Sequence, residues 1–227
     1  MIFIGMDDTD TLQSRGTGHL ARTVAAALAH DYAVAGVTRH QLLEDERVPC
    51  TARNSCAAIL LSDGPDDLDA LFARVKTIML ADFQMGSDPG LCLAKEVPTA
   101  VLDYGRQVQR QLIRQAAARA LALASGIRLE GLGGDEDGVI GALAAVGLAA
   151  TGADGRYVQV GSIRSLQGLQ PVEAVLAAGA ACIETKEGEP VTDGLVRCDK
   201  LRPARRRHTA VVVVERAGDV WQPLKLN

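Results

Sequence analysis

Aromatic side chains are scarce in this chain: three Phe, three Tyr and one Trp make up 3% of 227 residues. A surface that stacks unpaired bases on rings is therefore not expected, and the core has to be built from Ala, Val, Leu and Ile. Excess positive charge is missing too. The net charge is −4, so there is no global basic field for nucleic acid, although a local one stays open. The five cysteines, at positions 50, 56, 92, 182 and 198, include no Cys-x-x-Cys pair, which argues against a zinc ribbon and a disulfide framework. No apolar run approaches the ~20 residues of a membrane span. No basic segment leads into an apolar stretch at the N-terminus, as a signal peptide would require. A cytoplasmic protein without membrane contact is expected. Gly-x4-Gly-Lys-Ser/Thr is absent, which excludes a P-loop, and so is Gly-x-Ser-x-Gly, the elbow of α/β-hydrolases. The four histidines (19, 30, 40 and 208) lack metal-ligand spacing.

Length allows one large domain or two small ones. Ile2-Phe3-Ile4 reads as a short buried strand and 16–30 as an Ala-rich helix. Extended runs follow at 33–39 and 55–61, then a helix over about 66–80 and a long helix over 107–124 closed by Ser125-Gly126. A soft boundary falls there, giving parts 1–125 and 126–227. The second part has a small apolar helix over 139–150 and a short one over 171–178. Strands are expected at 156–160, 181–185, 194–198, 209–215 and 219–226, the last two joined through Ala217-Gly218. Helices alternating with antiparallel hairpins predict an α+β chain whose second part is a ferredoxin-like α+β lobe.

The densest chemistry lies at Gly5-Met6-Asp7-Asp8-Thr9-Asp10, followed by Arg15-Gly16-Thr17-Gly18. Asp7, Asp8 and Asp10 crowd the end of a strand and need a cation, and Mg²⁺ takes one or two carboxylates plus phosphate oxygens. If the strand continues, alternation puts Asp8 and Asp10 on one face. Gly16, Thr17 and Gly18 open a helix whose backbone N–H groups can meet a phosphate. Together they read as a metal–nucleotide site; the competing reading is a turn and a helix cap. Arg53, in the loop Pro49 to Ser55, suits a phosphate fork. Gly138 and Gly141, with Ala142, Ala144 and Ala145, make a helix that either admits a close backbone or turns its N-terminus toward a phosphate. The acidic run Asp135-Glu136-Asp137 before it suits a bridging metal better than a bare phosphate. Arg202, Arg205, Arg206, Arg207 and His208 read as a solvated strand guard or as a local RNA patch.

These islands resemble the archaeal tRNA(Ile2) agmatinylcytidine synthetase family. Its N-terminus carries Gly-Ile-Asp-Asp-Thr-Asp before a Cys-Thr-Thr helix start, matching Gly5 to Asp10 and the region of Thr17. Its Pro-x-x-Thr-Arg-Gly-Asn loop matches Pro49 to Ser55, with Ala52, Asn54 and Ser55 as departures. Its Gly-Leu-Ile-Gly-Ala-Leu-Ala-Ala-Ile-Gly helix matches Gly138 to Gly147. The resemblance implies a kinase-like α/β lobe followed by a ferredoxin-like lobe, with ATP and Mg²⁺ as cofactors. It also implies phosphorylation of a cytidine oxygen that an amine then displaces, and a kinase-site threonine, here Thr17, that becomes phosphorylated. The family's OB-fold and zinc ribbon, which hold tRNA, have no counterpart before Asn227.

The expected function is accordingly an ATP- and Mg²⁺-dependent phosphotransferase or ligase-type enzyme that activates an oxygen of a small-molecule acceptor. Asp7, Asp8, Asp10 and Thr17 are its catalytic residues, the three carboxylates its metal ligands, and Gly16, Gly18, Arg53, Gly138 and Gly141 its cofactor contacts. The acceptor is expected in a cleft between the two parts. The alternatives are a tRNA-modifying enzyme that relies on a partner for tRNA, and a non-catalytic nucleotide-binding module. The oligomeric state stays open, with a homodimer compatible with each.

Overall fold

The structure, a computed structural model, describes residues 1–48, 50, 51 and 53–225. Pro49 and Ala52 of the expected phosphate loop, and Leu226 at the end of the last expected strand, lie outside the described residues. The chain divides into two compact units, Met1–Thr151 and Gly152–Asn227.

The first unit runs β1 (Ile2–Asp7), α1 (Thr17–Leu28), β2 (Val34–Gln41), β3 (Ser55–Leu61), α2 (Leu68–Ala81) and β4 (Gly90–Ala94). It continues with α3 (Thr99–Val108), α4 (Gln115–Ala124), β5 (Arg128–Gly131) and α5 (Gly138–Thr151). The strands lie in the order β5-β4-β1-β3-β2, each antiparallel to its neighbour. A β-α-β-β-α-β succession with this pairing is ferredoxin-like, so the chain is α+β. The ferredoxin-like arrangement expected after residue 126 therefore stands in the first unit instead. β5 and α5, which the boundary at 126 would detach, belong here as well: β5 pairs with β4 and α5 packs on β1, β4 and β3.

Sequence explains why α5 sits in the middle. Eleven of its fourteen residues are buried, as expected of a helix that is apolar all round. On one side a Cβ at Gly5 of β1 would overlap the Ala142 carbonyl. On the other, a Cβ at Gly147 would overlap the Val101 carbonyl of α3. Small residues thus let α5 lie close to both a sheet and a helix. The long helix expected over 107–124 is two helices, α3 and α4, separated by residues 109–114. No Gly or Pro marks this break, and it brings Gln111, Leu112 and Ile113 to the cavity described below.

The second unit runs β6 (Arg156–Gln159), a 3-10 turn (Ile163–Ser165), β7 (Leu169–Pro171), α6 (Val172–Ala177), β8 (Cys182–Thr185) and β9 (Leu195–Arg197). It ends with β10 (Ala204–Arg206), β11 (Thr209–Ala217) and β12 (Val220–Pro223). Its strand order is β6-β10-β11-β12-β9-β7, with β8 parallel to β11. Val175, Ile183, Val196, Val212 and Val214 anchor its core. The hairpin through Gly218 forms as expected, that glycine taking a φ of 63°. The basic run is largely engaged within the unit. Arg205 is buried against the Tyr157 ring, and Arg206 and Arg207 reach the two Glu184 oxygens at 2.8 and 2.6 Å. Arg207 and His208, both with positive φ, make the two-residue turn between β10 and β11.

Candidate active site

Strand β1 delivers Asp7 to the end of the sheet, on the face where Gly5 meets α5. Asp7 packs on Gly141: a Cβ at that position would overlap its carboxylate. After Asp7 the chain leaves the strand, and Asp8 adopts a left-handed conformation with φ 50°, a region that Asp tolerates better than most residues. The alternation that would pair Asp8 with Asp10 thus does not extend past Asp7. Instead Asp7 and Asp8 converge.

Asp10 turns to the start of α1. Its Oδ1 accepts from the Thr17 hydroxyl at 2.9 Å and from the Thr17 N–H at 3.2 Å, while its Oδ2 accepts from Thr51 at 2.8 Å. Gly16, the N-cap of α1, has no side chain to do this, so Asp10 takes over the capping that a Ser or Asp would supply locally. The cap and the catalytic readings of Thr17 meet in one residue: the hydroxyl is a cap partner, and it lines a cavity.

That cavity, of about 210 Å³, is lined by Asp7, Asp8, Asp10, Thr17, Arg53 and Gly141, all named from the sequence. Gly16, Gly18 and Gly138 are not among its lining residues. Gly138 is instead a packing glycine, set against the Asp88 carbonyl and Gly90 N–H, and its own N–H donates to Asp88 O at 2.9 Å. Every lining residue belongs to the first unit, and Asp137, Ile140 and Gly141 among them come from the second of the two parts expected from the sequence. Sequence reasoning missed Asp88, Arg47 and Gln111. Only Asp88 carried a signal, in the turn Asp88-Pro89-Gly90, which reads equally as an ordinary loop.

The electrostatics are one-sided. Burial, with the neighbouring charges of Asp8 and Asp10, pushes the Asp7 carboxyl up to about 7 despite a backbone hydrogen bond from Asp8. Burial and then Asp88, Asp10 and Asp137 push Asp8 up to about 6, against a backbone hydrogen bond from Asp88. Neighbouring carboxylates of this kind call for a cation. The Thr9 hydroxyl is buried beside them without a hydrogen-bond partner. Among the described residues, however, no three His, Cys, Asp or Glu side chains are gathered so as to hold a metal ion. Asp10, the third carboxylate of the expected set, accepts from Thr17 and Thr51. Asp7 and Asp8 fit a Mg²⁺ that takes its remaining ligands from phosphate and water. Arg53, whose guanidinium pairs with no described residue, can meet such a phosphate. The exposed Arg47 is held by Asp45 through a bidentate pair with bonds of 2.8 and 2.7 Å, and this pair keeps the Asp45 carboxyl well below the usual range.

A ferredoxin-like antiparallel sheet with an acidic, hydroxyl-bearing cavity at one end of β1 defines the class. No protein-family model matches the sequence, and no curated protein matches it. Solved structures do share the fold. The chain is similar to a complex of TiaS with tRNA(Ile2) and ATP, at 22% identity and a TM-score of 0.58, over 64% of this chain and 36% of that one. A tRNA fluorescent labeling enzyme matches at 22% and 0.58, over 64% and 35%. A complex of TiaS with tRNA(Ile2), AMPCPP and agmatine matches at 22% and 0.56, over 64% and 36%. The chain thus spans about a third of the length of these proteins. TiaS is the tRNA(Ile2) agmatidine synthetase, so the neighbours have the fold expected from the resemblance. Among the described residues, no helix is long and apolar enough to cross a membrane.

Proposed function

We propose that the protein is an ATP-using, Mg²⁺-dependent enzyme that activates an oxygen of its acceptor by phosphoryl transfer, and that the acceptor is a base of tRNA. The observation that carries the reading is the convergence of Asp7, Asp8, Thr17 and Arg53 on one cavity. Neighbours of the same fold, solved with ATP and tRNA(Ile2), support tRNA over the small molecule favoured by composition. Bound to Asp7 and Asp8, the metal would neutralise charge on the transferring phosphate. Arg53 would hold a phosphate oxygen from the opposite sign of charge. Asp10 keeps the Thr17 hydroxyl oriented, and Gly141 leaves room for Asp7.

A second reading keeps a small acceptor. It is favoured by the size of the cavity and by the balance of its lining, five Asp against Arg47 and Arg53, which does not suit a polyanion. Purified protein incubated with Mg²⁺–ATP and unmodified tRNA, with and without agmatine, separates them. A mass increase of the tRNA that requires ATP supports the first. Nucleotide turnover that depends on amines or metabolites and ignores tRNA supports the second. Nucleotide binding with no turnover under any condition leaves a non-catalytic binding module.

A further inference from the structure

Asp10 divides its two oxygens between different parts of the first unit. Oδ1 holds Thr17 at the start of α1, and Oδ2 accepts from the Thr51 hydroxyl at 2.8 Å. Thr51 lies in the connection between β2 and β3, which also supplies Arg47, Val48, Cys50 and Arg53 to the cavity lining. The base of that connection is well tied. Leu42 N–H donates to Asn54 O at 2.9 Å, the Gln41 side chain donates to the same oxygen at 2.6 Å, and the Asn54 side chain donates to Leu43 O at 2.8 Å. Farther out, the bonds close on neighbours in sequence. Arg47 bonds to Asp45, Val48 N–H donates to Asp45 O at 3.0 Å, and Arg53 O accepts from the Ser55 hydroxyl at 3.4 Å. Among the described residues from 44 to 53, the Thr51 hydroxyl is therefore the group whose hydrogen bond reaches another part of the unit.

Arg53 depends on such an anchor. Its guanidinium pairs with no described residue, so no contact of its own side chain places it. Its backbone stands instead between two fixed points, Thr51 on Asp10 and Asn54 on the end of β2. A segment held before its ligand arrives spares binding the entropy of ordering it. A hydrogen bond to a carboxylate is also stronger than one between neutral groups. Resting on the phosphoryl-transfer reading above, we propose that Thr51 is a positioning residue: through Asp10 it fixes Arg53 relative to Thr17, so that the guanidinium is in place when the phosphate and its metal arrive. Asp10 is then the shared anchor of Thr17 and of the Arg53 segment, and Thr51 acts on the phosphate without touching it.

The test is titration calorimetry of Mg²⁺–ATP against the full chain, its Thr51→Val, Thr51→Ser and Arg53→Gln variants, and the Thr51→Val/Arg53→Gln double variant. Arg53→Gln should weaken binding about tenfold. Thr51→Val, which keeps the branched shape and loses the hydroxyl, should weaken it about three- to tenfold, and Thr51→Ser should restore it. The double variant should bind no more weakly than Arg53→Gln alone, because Thr51 acts only through the guanidinium. A structural fault spread through the cavity would add to the Arg53 loss instead, and such additivity overturns the proposal. So does a Thr51→Val variant that binds as the wild type does. Both results leave the nucleotide reading standing, whereas a wild type that binds no Mg²⁺–ATP sinks that reading and the role of Thr51 with it.

Discussion

The Thr17 hydroxyl donates to Asp10 Oδ1 at 2.9 Å, and the same oxygen accepts the Thr17 backbone N–H at 3.2 Å. One carboxylate therefore both ends the N-terminal frustration of α1 and aims a hydroxyl at the cavity. Thr17→Ala should cost about 1 kcal/mol, the scale of a lost cap or a single hydrogen bond, and should abolish turnover. Thr17→Ser should keep most of both. Chemical denaturation beside an ATP turnover assay checks this; full turnover in the alanine variant would reduce Thr17 to a cap.

Two glycines of the proposed cofactor set should respond in opposite directions. A methyl group at Gly141 would overlap the Asp7 carboxylate, whereas at Gly18, inside α1, it meets nothing within 4 Å. Gly141→Ala should destabilise by about 1–3 kcal/mol as overpacking and lower Mg²⁺–ATP affinity. Gly18→Ala should stabilise by about 0.5–1 kcal/mol through helix propensity with affinity intact. Thermal melts with matched titrations give both quantities.

Asp7 and Asp8 set a pH dependence of the metal-free protein. Their folded values of about 7 and 6 lie above the ordinary 3.8. The folded state thus holds more protons than the unfolded one, and stability present below about pH 4 is lost as pH rises through 6 and 7. Asp7→Asn should flatten this decline. Added Mg²⁺ should restore stability on the alkaline side in the wild type more than in Asp8→Asn, because binding to the native state alone stabilises it. Denaturation curves from pH 4 to 8, with and without Mg²⁺, would show it; an unchanged slope in Asp7→Asn contradicts the assignment.

Glu184 should behave in the opposite sense. Burial works to raise its carboxyl, yet hydrogen bonds from Arg207 and Arg206 bring it below the ordinary 4.5. Its contribution is present above that value and is lost as pH falls through the lower folded value. The chain's one tryptophan, Trp221, lies in the second unit, so its fluorescence follows this unit alone. Acid unfolding seen at Trp221 should begin at higher pH in Glu184→Gln and shift further in high salt for the wild type, whose Arg207 partner is exposed.

Local chemistry was legible in the chain because it is encoded by adjacent residues. Asp7 and Asp8 follow a short apolar run, and Thr17 opens the helix after them. The uninterrupted small apolar stretch from Gly138 reads as a helix built for close approach or for a phosphate at its start, and in the fold Gly147 admits the Val101 backbone while Gly141 admits the Asp7 carboxylate. Pairing was not legible. β4 is five apolar residues, too short for its period to tell strand from helix, and β5, Arg-Leu-Glu-Gly, has almost no pattern of its own. Both become strands because β1 and then β4 offer an open edge. That pairing is decided by contacts distant in sequence. It keeps β5 and α5 with the first unit and carries Asp88 to the Asp8 carboxylate. The break at 109–114, without a Gly or Pro, likewise has no sequence signal, and it is the packing of α3 on α5 that turns Gln111 and Ile113 into the cavity. The sequence by itself determined which residues carry charge, hydroxyl and close packing at the site. The tertiary structure decided which of them meet, because a carboxylate's partner is set by distance in space, and Asp10 meets Thr17 at the start of α1 and Thr51.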